Sequence, residues 1–173
     1  MLKPEEQYAH AQSQLNILTE IQALCTKLNV RCWLRGGWAV DFLLGKITRP
    51  HEDIDLVVWA RHRQRVERAL KDAGYQCNPI SSSQTDFRRE EVDVQLCYLA
   101  RGDDGRIVAN GKPHWVWRAD ALPLKRFLLY GISSYVLSPN QLLEEKEVYK
   151  QIGRLPRAKD AESIRLLQSI MDF

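Results

Sequence analysis

Residues 53–59 read Asp-Ile-Asp-Leu-Val-Val-Trp, and the two aspartates constrain the fold more than any other feature. The β-branched and aromatic residues around them predict a strand. On a strand, residues two apart share a face. Asp53 and Asp55 therefore point to one side, while Ile54 and Leu56 point to the other. Two neighbouring carboxylates repel, and removal from water adds to the cost. A chain that keeps both needs a compensating charge. A divalent cation supplies it, and Mg²⁺ favours carboxylate oxygens together with phosphate oxygens.

Two further features extend this reading. Fifteen residues separate Gly36-Gly37 from Asp53. The glycine pair lies between an expected strand over 31–34 and an expected helix over 38–44 that stops near Gly45. Glycine lets a backbone approach a phosphate closely, and a helix N-terminus presents N–H groups to it. Downstream, "EVDVQLCYL" (91–99) alternates cleanly: Val92, Val94 and Leu96 face one way, Glu91, Asp93 and Gln95 the other. If this strand neighbours the first, Asp93 becomes a third carboxylate beside Asp53 and Asp55. Three converging carboxylates suit one or two Mg²⁺ ions and an in-line displacement at phosphorus. Each feature also has a plainer reading. A lone Gly-Gly is more often a turn, an alternating polar face is more often solvated, and Glu90 and Glu91 compete with Asp93.

The remaining pattern predicts a long amphipathic helix over 5–28, with Leu15, Leu18, Ile21, Leu24 and Leu28 at helical spacing. A helix over 61–73, a strand over 75–78, a loop at 81–84 and a short strand over 87–89 follow. Residues 101–106 make a turn, 107–117 are mixed, and 134–137 read as a strand. Ser138-Pro139 starts a helix running to about residue 152, and another spans 158–171. We expect a core over 1–137 and a C-terminal helical segment over 138–173 packed on it.

The formal charge of +3 on 173 residues argues against nucleic acid as a partner. The run Arg61-His62-Arg63-Gln64-Arg65 wraps around its helix and reads as a solvated face. There is no signal-peptide apolar region and no bilayer-length apolar run, so a membrane is not expected. The four cysteines show no metal-ligand spacing and read as reduced thiols of a cytoplasmic protein. Oligomeric state stays open between monomer and homodimer. Trp115-Val116-Trp117 fits either a ligand-stacking surface or a strand edge.

The segment "LRGGWAVDFLLGKITRPHEDIDL" resembles the DNA polymerase beta-like nucleotidyltransferase superfamily. Within it, the segment is most similar to the small antibiotic nucleotidyltransferases, the aminoglycoside 2''-adenylyltransferases and lincosamide nucleotidyltransferases. The close match covers roughly residues 33–75. The resemblance implies an α+β fold: a mixed twisted sheet flanked by helices, with a helical C-terminal tail. It implies Mg²⁺-dependent transfer of AMP from ATP, or of another nucleoside monophosphate, to a hydroxyl of a small acceptor such as an aminoglycoside or lincosamide, with release of pyrophosphate. Asp53, Asp55 and Asp93 would bind metal and serve catalysis, with Asp93 or Glu91 taking the hydroxyl proton. Gly36 and Gly37 would hold the triphosphate. Arg49 and His51 would contact phosphate or the carboxylates, and Lys159 would reach the triphosphate. Asp41 belongs to the matching motif and would support the loop or place the acceptor; as plain helix surface it would do neither. The alternatives are a nucleotidyltransferase acting on protein, RNA or another metabolite, as in toxin–antitoxin systems, and a non-catalytic nucleotide-binding module.

Overall fold

The computed structural model describes residues 3–151 and 157–171. The chain begins with helix α1 (Pro4–Lys27), whose first turn carries Glu5 and Glu6 against the positive end of the helix dipole. Leu15, Ile17, Leu18, Ile21 and Cys25 are buried along one face. Leu24 and Leu28, expected on that face, are only half-buried.

Strand β1 (Trp33–Arg35) runs into helix α2 (Gly36–Leu44), so the two glycines form the first helical turn rather than a separate loop. Gly45, with φ 75°, ends the helix in the left-handed region. Strand β2 (Asp53–Trp59) has the bounds its sequence predicts. Ile54, Leu56 and Val58 are all buried on one face, each worth about 2 kcal/mol of transfer free energy. A single 3-10 turn (Ala60–His62) then precedes helix α3 (Arg63–Asp72), which is shorter than expected.

The sheet is larger than its sequence suggests. Strands β3 (Gln76–Ser81) and β4 (Gln84–Arg89) form a hairpin whose strands run longer than expected, leaving only residues 82–83 of the expected loop as its turn, and β4 turns directly into β5 (Val92–Arg101). Residues 107–117 resolve into a second hairpin, β6 (Ile107–Ala109) and β7 (Lys112–Val116), closed at Asn110-Gly111. Strand β8 (Arg126–Leu129) had no sequence signal, and it pairs with β9 (Ile132–Val136). Helices α4 (Pro139–Gln151) and α5 (Ala158–Met171) finish the described chain. The expected end of the first of these, near residue 152, lies outside the described residues.

The strands run in the order β3-β4-β5-β2-β1-β9-β8, with β6 and β7 continuing from β5. Pairing is mixed: β2 with β5 and β1 with β9 are parallel, the other pairs antiparallel. Helix α1 packs on α3 and across β2, β5 and β9, whereas α2 packs on β8, β9 and α5. Cys25, Cys32 and Cys97 are buried, Cys77 is half-buried, and all are free. No helix among the described residues is long and apolar enough to cross a membrane.

Candidate active site

The parallel pairing of β2 with β5 sets Asp53 beside Asp93 and Asp55 beside Gln95, while β1 sets Arg35 on the other side of Asp55. Asp53 and Asp55 both line a cavity of about 260 Å³ at this end of the sheet. Burial raises the Asp55 carboxyl to about 7, with Asp53 adding to the rise and Arg35 opposing it. Burial and Glu52 raise Asp53 as well, against Lys159. Asp55 Oδ1 is buried without a hydrogen-bond partner. A costly orphaned anion of this kind marks a place where a counter-charge is missing.

The glycines are required by close approach. A Cβ on Gly36, whose φ is 72°, would lie 2.5 Å from Asp55 Oδ2. On Gly37 it would lie 2.5 Å from His51 Nδ1 and 2.7 Å from Arg49 Nη2. Gly36, Gly37, Arg49 and His51 all line the cavity that holds the two aspartates.

Asp41 is not helix surface. It is fully buried, and its carboxylate lies 2.5 Å from His51 Nε2 and accepts from Thr48 Oγ1 at 2.5 Å. The His51 ring packs on Trp38 at 4.6 Å, and its carbonyl accepts from Gln14 Nε2 at 3.0 Å. Asp41 and Trp38 of helix α2 thus fix the imidazole from two sides while Gln14 of α1 holds the His51 backbone, with Nδ1 left facing Gly37.

The opposite wall comes from the C-terminal helices. Lys159 on α5 lines the cavity, with Nζ 3.8 Å from Glu52. Arg157 and Lys146 line it too, and both hold Asp160. Arg35 Nε donates to both oxygens of Glu145 on α4, at 3.0 and 3.1 Å. Its guanidinium sits 5.6 Å from the ring centres of both Trp115 and Trp117. The two tryptophans, ambiguous in sequence, therefore back an arginine at the cavity edge. Sequence reading did not find Arg35, Lys146 or Arg157. Only Arg35 carried a signal, as the residue before the glycine pair; the other two reach the site through helix packing.

Asp93 stands apart from the cavity. Its side chain is 53% exposed and accepts from Arg88 at 2.8 Å. It lines an adjoining hollow, shared with His51 and Glu52. Among the described residues, no group of three or more His, Cys, Asp or Glu side chains is arranged to hold a metal ion. The structure brings Asp53, Asp55, Gly36, Gly37, Arg49, His51 and Lys159 together, and sets Asp93 in register next to Asp53 but outside their cavity.

A mixed open sheet that carries a glycine-led helix and an Asp-x-Asp strand side by side is the architecture of the polymerase beta-like nucleotidyltransferases. Residues 17–167 match the aminoglycoside-2''-adenylyltransferase family, and the chain belongs to it. It is 49% identical over 84 residues to a lincosamide resistance protein of Staphylococcus haemolyticus, a match covering 46% of this chain. The chain spans about half the length of that curated relative, 51%. The solution structure of the antibiotic-resistance factor ANT(2'')-Ia superposes with a TM-score of 0.78 at 20% identity, over 92% of this chain and 85% of that one. The lincomycin-bound lincosamide adenylyltransferase LnuA superposes with a TM-score of 0.70 at 28% identity, over 88% and 95%.

Proposed function

We propose that the protein transfers a nucleoside monophosphate, AMP from ATP, to a hydroxyl of a small antibiotic and releases pyrophosphate. The observation that carries this reading is the pair Asp53 and Asp55 on one cavity face, with Asp55 Oδ1 orphaned and Gly36 held against it. The pair fits a divalent cation whose other ligands are phosphate oxygens and water. Asp53 and Asp55 would hold the Mg²⁺, and its charge would offset that of the phosphate oxygens.

The chain's own groups do the rest. The first turn of α2 offers its backbone to phosphate. Lys159 and its neighbours face the same space with positive charge. The acceptor hydroxyl oxygen forms a bond to the α-phosphorus as the bond from that phosphorus to the pyrophosphate oxygen breaks. The hydroxyl proton passes to Asp93, the exposed carboxylate beside Asp53. Positioning and electrostatics provide most of the acceleration.

The acceptor favoured is a lincosamide. The similarity over 84 residues to a lincosamide resistance protein supports this, and the one glutamate of α4 at the cavity, Glu145, is held by Arg35. An aminoglycoside remains the second reading, on the family match. Pyrophosphate release with ATP and Mg²⁺, measured across lincosamides and aminoglycosides with Asp53→Asn as the blank, tests both. Release dependent on lincomycin supports the first reading, and release dependent only on an aminoglycoside supports the second. No release with either class would discard the antibiotic acceptor.

A further inference from the structure

Asp160 lies in the first turn of α5 and is buried, with 6% of its surface exposed. Its Oδ1 accepts from Lys146 Nζ at 2.9 Å, and its Oδ2 accepts from Arg157 Nε at 3.1 Å and from the Arg157 backbone N–H at 3.2 Å. Both cations line the cavity that holds Asp53 and Asp55, whereas Asp160 does not.

We infer that Asp160 is a positioning residue that aims Lys146 and Arg157 at the nucleotide's polyphosphate. The inference rests on the nucleotidyl-transfer reading and extends it to two cations and the carboxylate behind them. One carboxylate holding two cations leaves a net positive charge. It also leaves donors over: an ammonium has three N–H groups and a guanidinium five, and Asp160 engages one side-chain N–H of each. A buried ion pair is a poor device for joining two helices, because an apolar pair of similar volume does so at least as well. Holding two charges ready at a cavity wall is what such a carboxylate does better than an apolar residue, since the cations need no reorganisation when an anion arrives. Lys146 is also close enough to Asp55 to lower its carboxyl against the effect of burial. Its ammonium is therefore felt across the space between Asp160 and the candidate metal pair.

Calorimetric titration of the full chain with ATP and Mg²⁺ tests this, using Asp160→Asn, Lys146→Ala and the double variant. Asp160→Asn should weaken ATP binding about tenfold or more while the lincomycin KM stays within about twofold. The double variant should bind ATP no more weakly than Lys146→Ala with Arg157→Ala, because Asp160 acts through those cations. Asp160→Glu should recover most of the affinity. Undiminished ATP binding in Asp160→Asn would overturn the assignment, as would an equal loss for both substrates. If Asp160→Asn does not fold, Lys146→Ala with Arg157→Ala decides: a folded protein with wild-type ATP affinity overturns it. Failure of the wild-type chain to bind ATP would instead remove the nucleotidyl-transfer reading beneath it.

Discussion

His51 and Asp41 meet through Nε2 and Oδ2 at 2.5 Å, and both side chains are buried. The contact assigns the Nε2 proton to the Asp41 side and leaves Nδ1 facing the cavity glycines. A carboxylate behind a histidine fixes both its tautomer and its ring orientation. Asp41→Ala strands the buried imidazole and leaves the half-buried Thr48 hydroxyl without its acceptor. We expect a loss of about 2 to 3 kcal/mol in stability, read by urea denaturation, and a fall in turnover larger than the fall in ATP affinity. Unchanged denaturation midpoints would show that the contact contributes nothing.

Asp55 makes metal-free stability depend on pH. Its folded carboxyl is raised to about 7 by burial, then by Asp53, above an unfolded value near 3.9. The native state therefore holds this proton more tightly than the unfolded chain. The resulting stability is complete below about pH 4 and is lost as pH rises through about 7. Asp55→Asn should remove that decline, making the variant more stable than wild type at pH 8 by on the order of 3 kcal/mol while abolishing turnover. Thermal melts in chelator from pH 5 to 8 measure this. Parallel curves for the two proteins would refute it. Millimolar Mg²⁺ should raise the wild-type midpoint at pH 8 and leave the variant unmoved.

Gly36 leaves no room for a methyl group. Gly36→Ala puts a Cβ 2.5 Å from Asp55 Oδ2 and strains a φ of 72°. We expect a cost of about 1 to 2 kcal/mol and loss of at least about tenfold in kcat/KM. Steady-state kinetics beside a melt would separate the two effects. Wild-type kinetics would mean that the glycine serves only the turn.

The β4–β5 turn is built from the wrong residues for its shape. Glu90 and Glu91 have φ of 51° and 64°, as a two-residue turn of this hand requires, yet neither is glycine or asparagine. Glu90→Asn with Glu91→Gly should stabilise the fold by about 1 kcal/mol. Turnover should persist if Asp93 takes the proton. Loss of turnover in a more stable protein would move that role to Glu91.

Local chemistry is what the sequence made legible. The bounds of the Asp53–Trp59 strand, the two faces of the Asp93 strand and the start and end of the last helix follow from period, caps and glycine. Edge strands did not show. Residues 126–129 alternate too weakly to mark a strand, because an edge exposes most of its side chains. The buried Asp41–His51 contact and the Lys146–Asp160–Arg157 group were invisible for another reason. They join residues that helix packing brings together, and no spacing along the chain encodes that.

The ion pair between Arg35 and Glu145 joins residues 110 positions apart. Asp53 and Asp55 are synthesised roughly a hundred residues before Lys146, Arg157 and Lys159 emerge. A nascent chain can close the β1–β2 pairing and bury its two acids early, but must then wait for the counter-charges on α4 and α5. Long-range closure of this kind is slow. The cavity thus reaches charge balance only once α4 and α5 have docked, long after its aspartates are made.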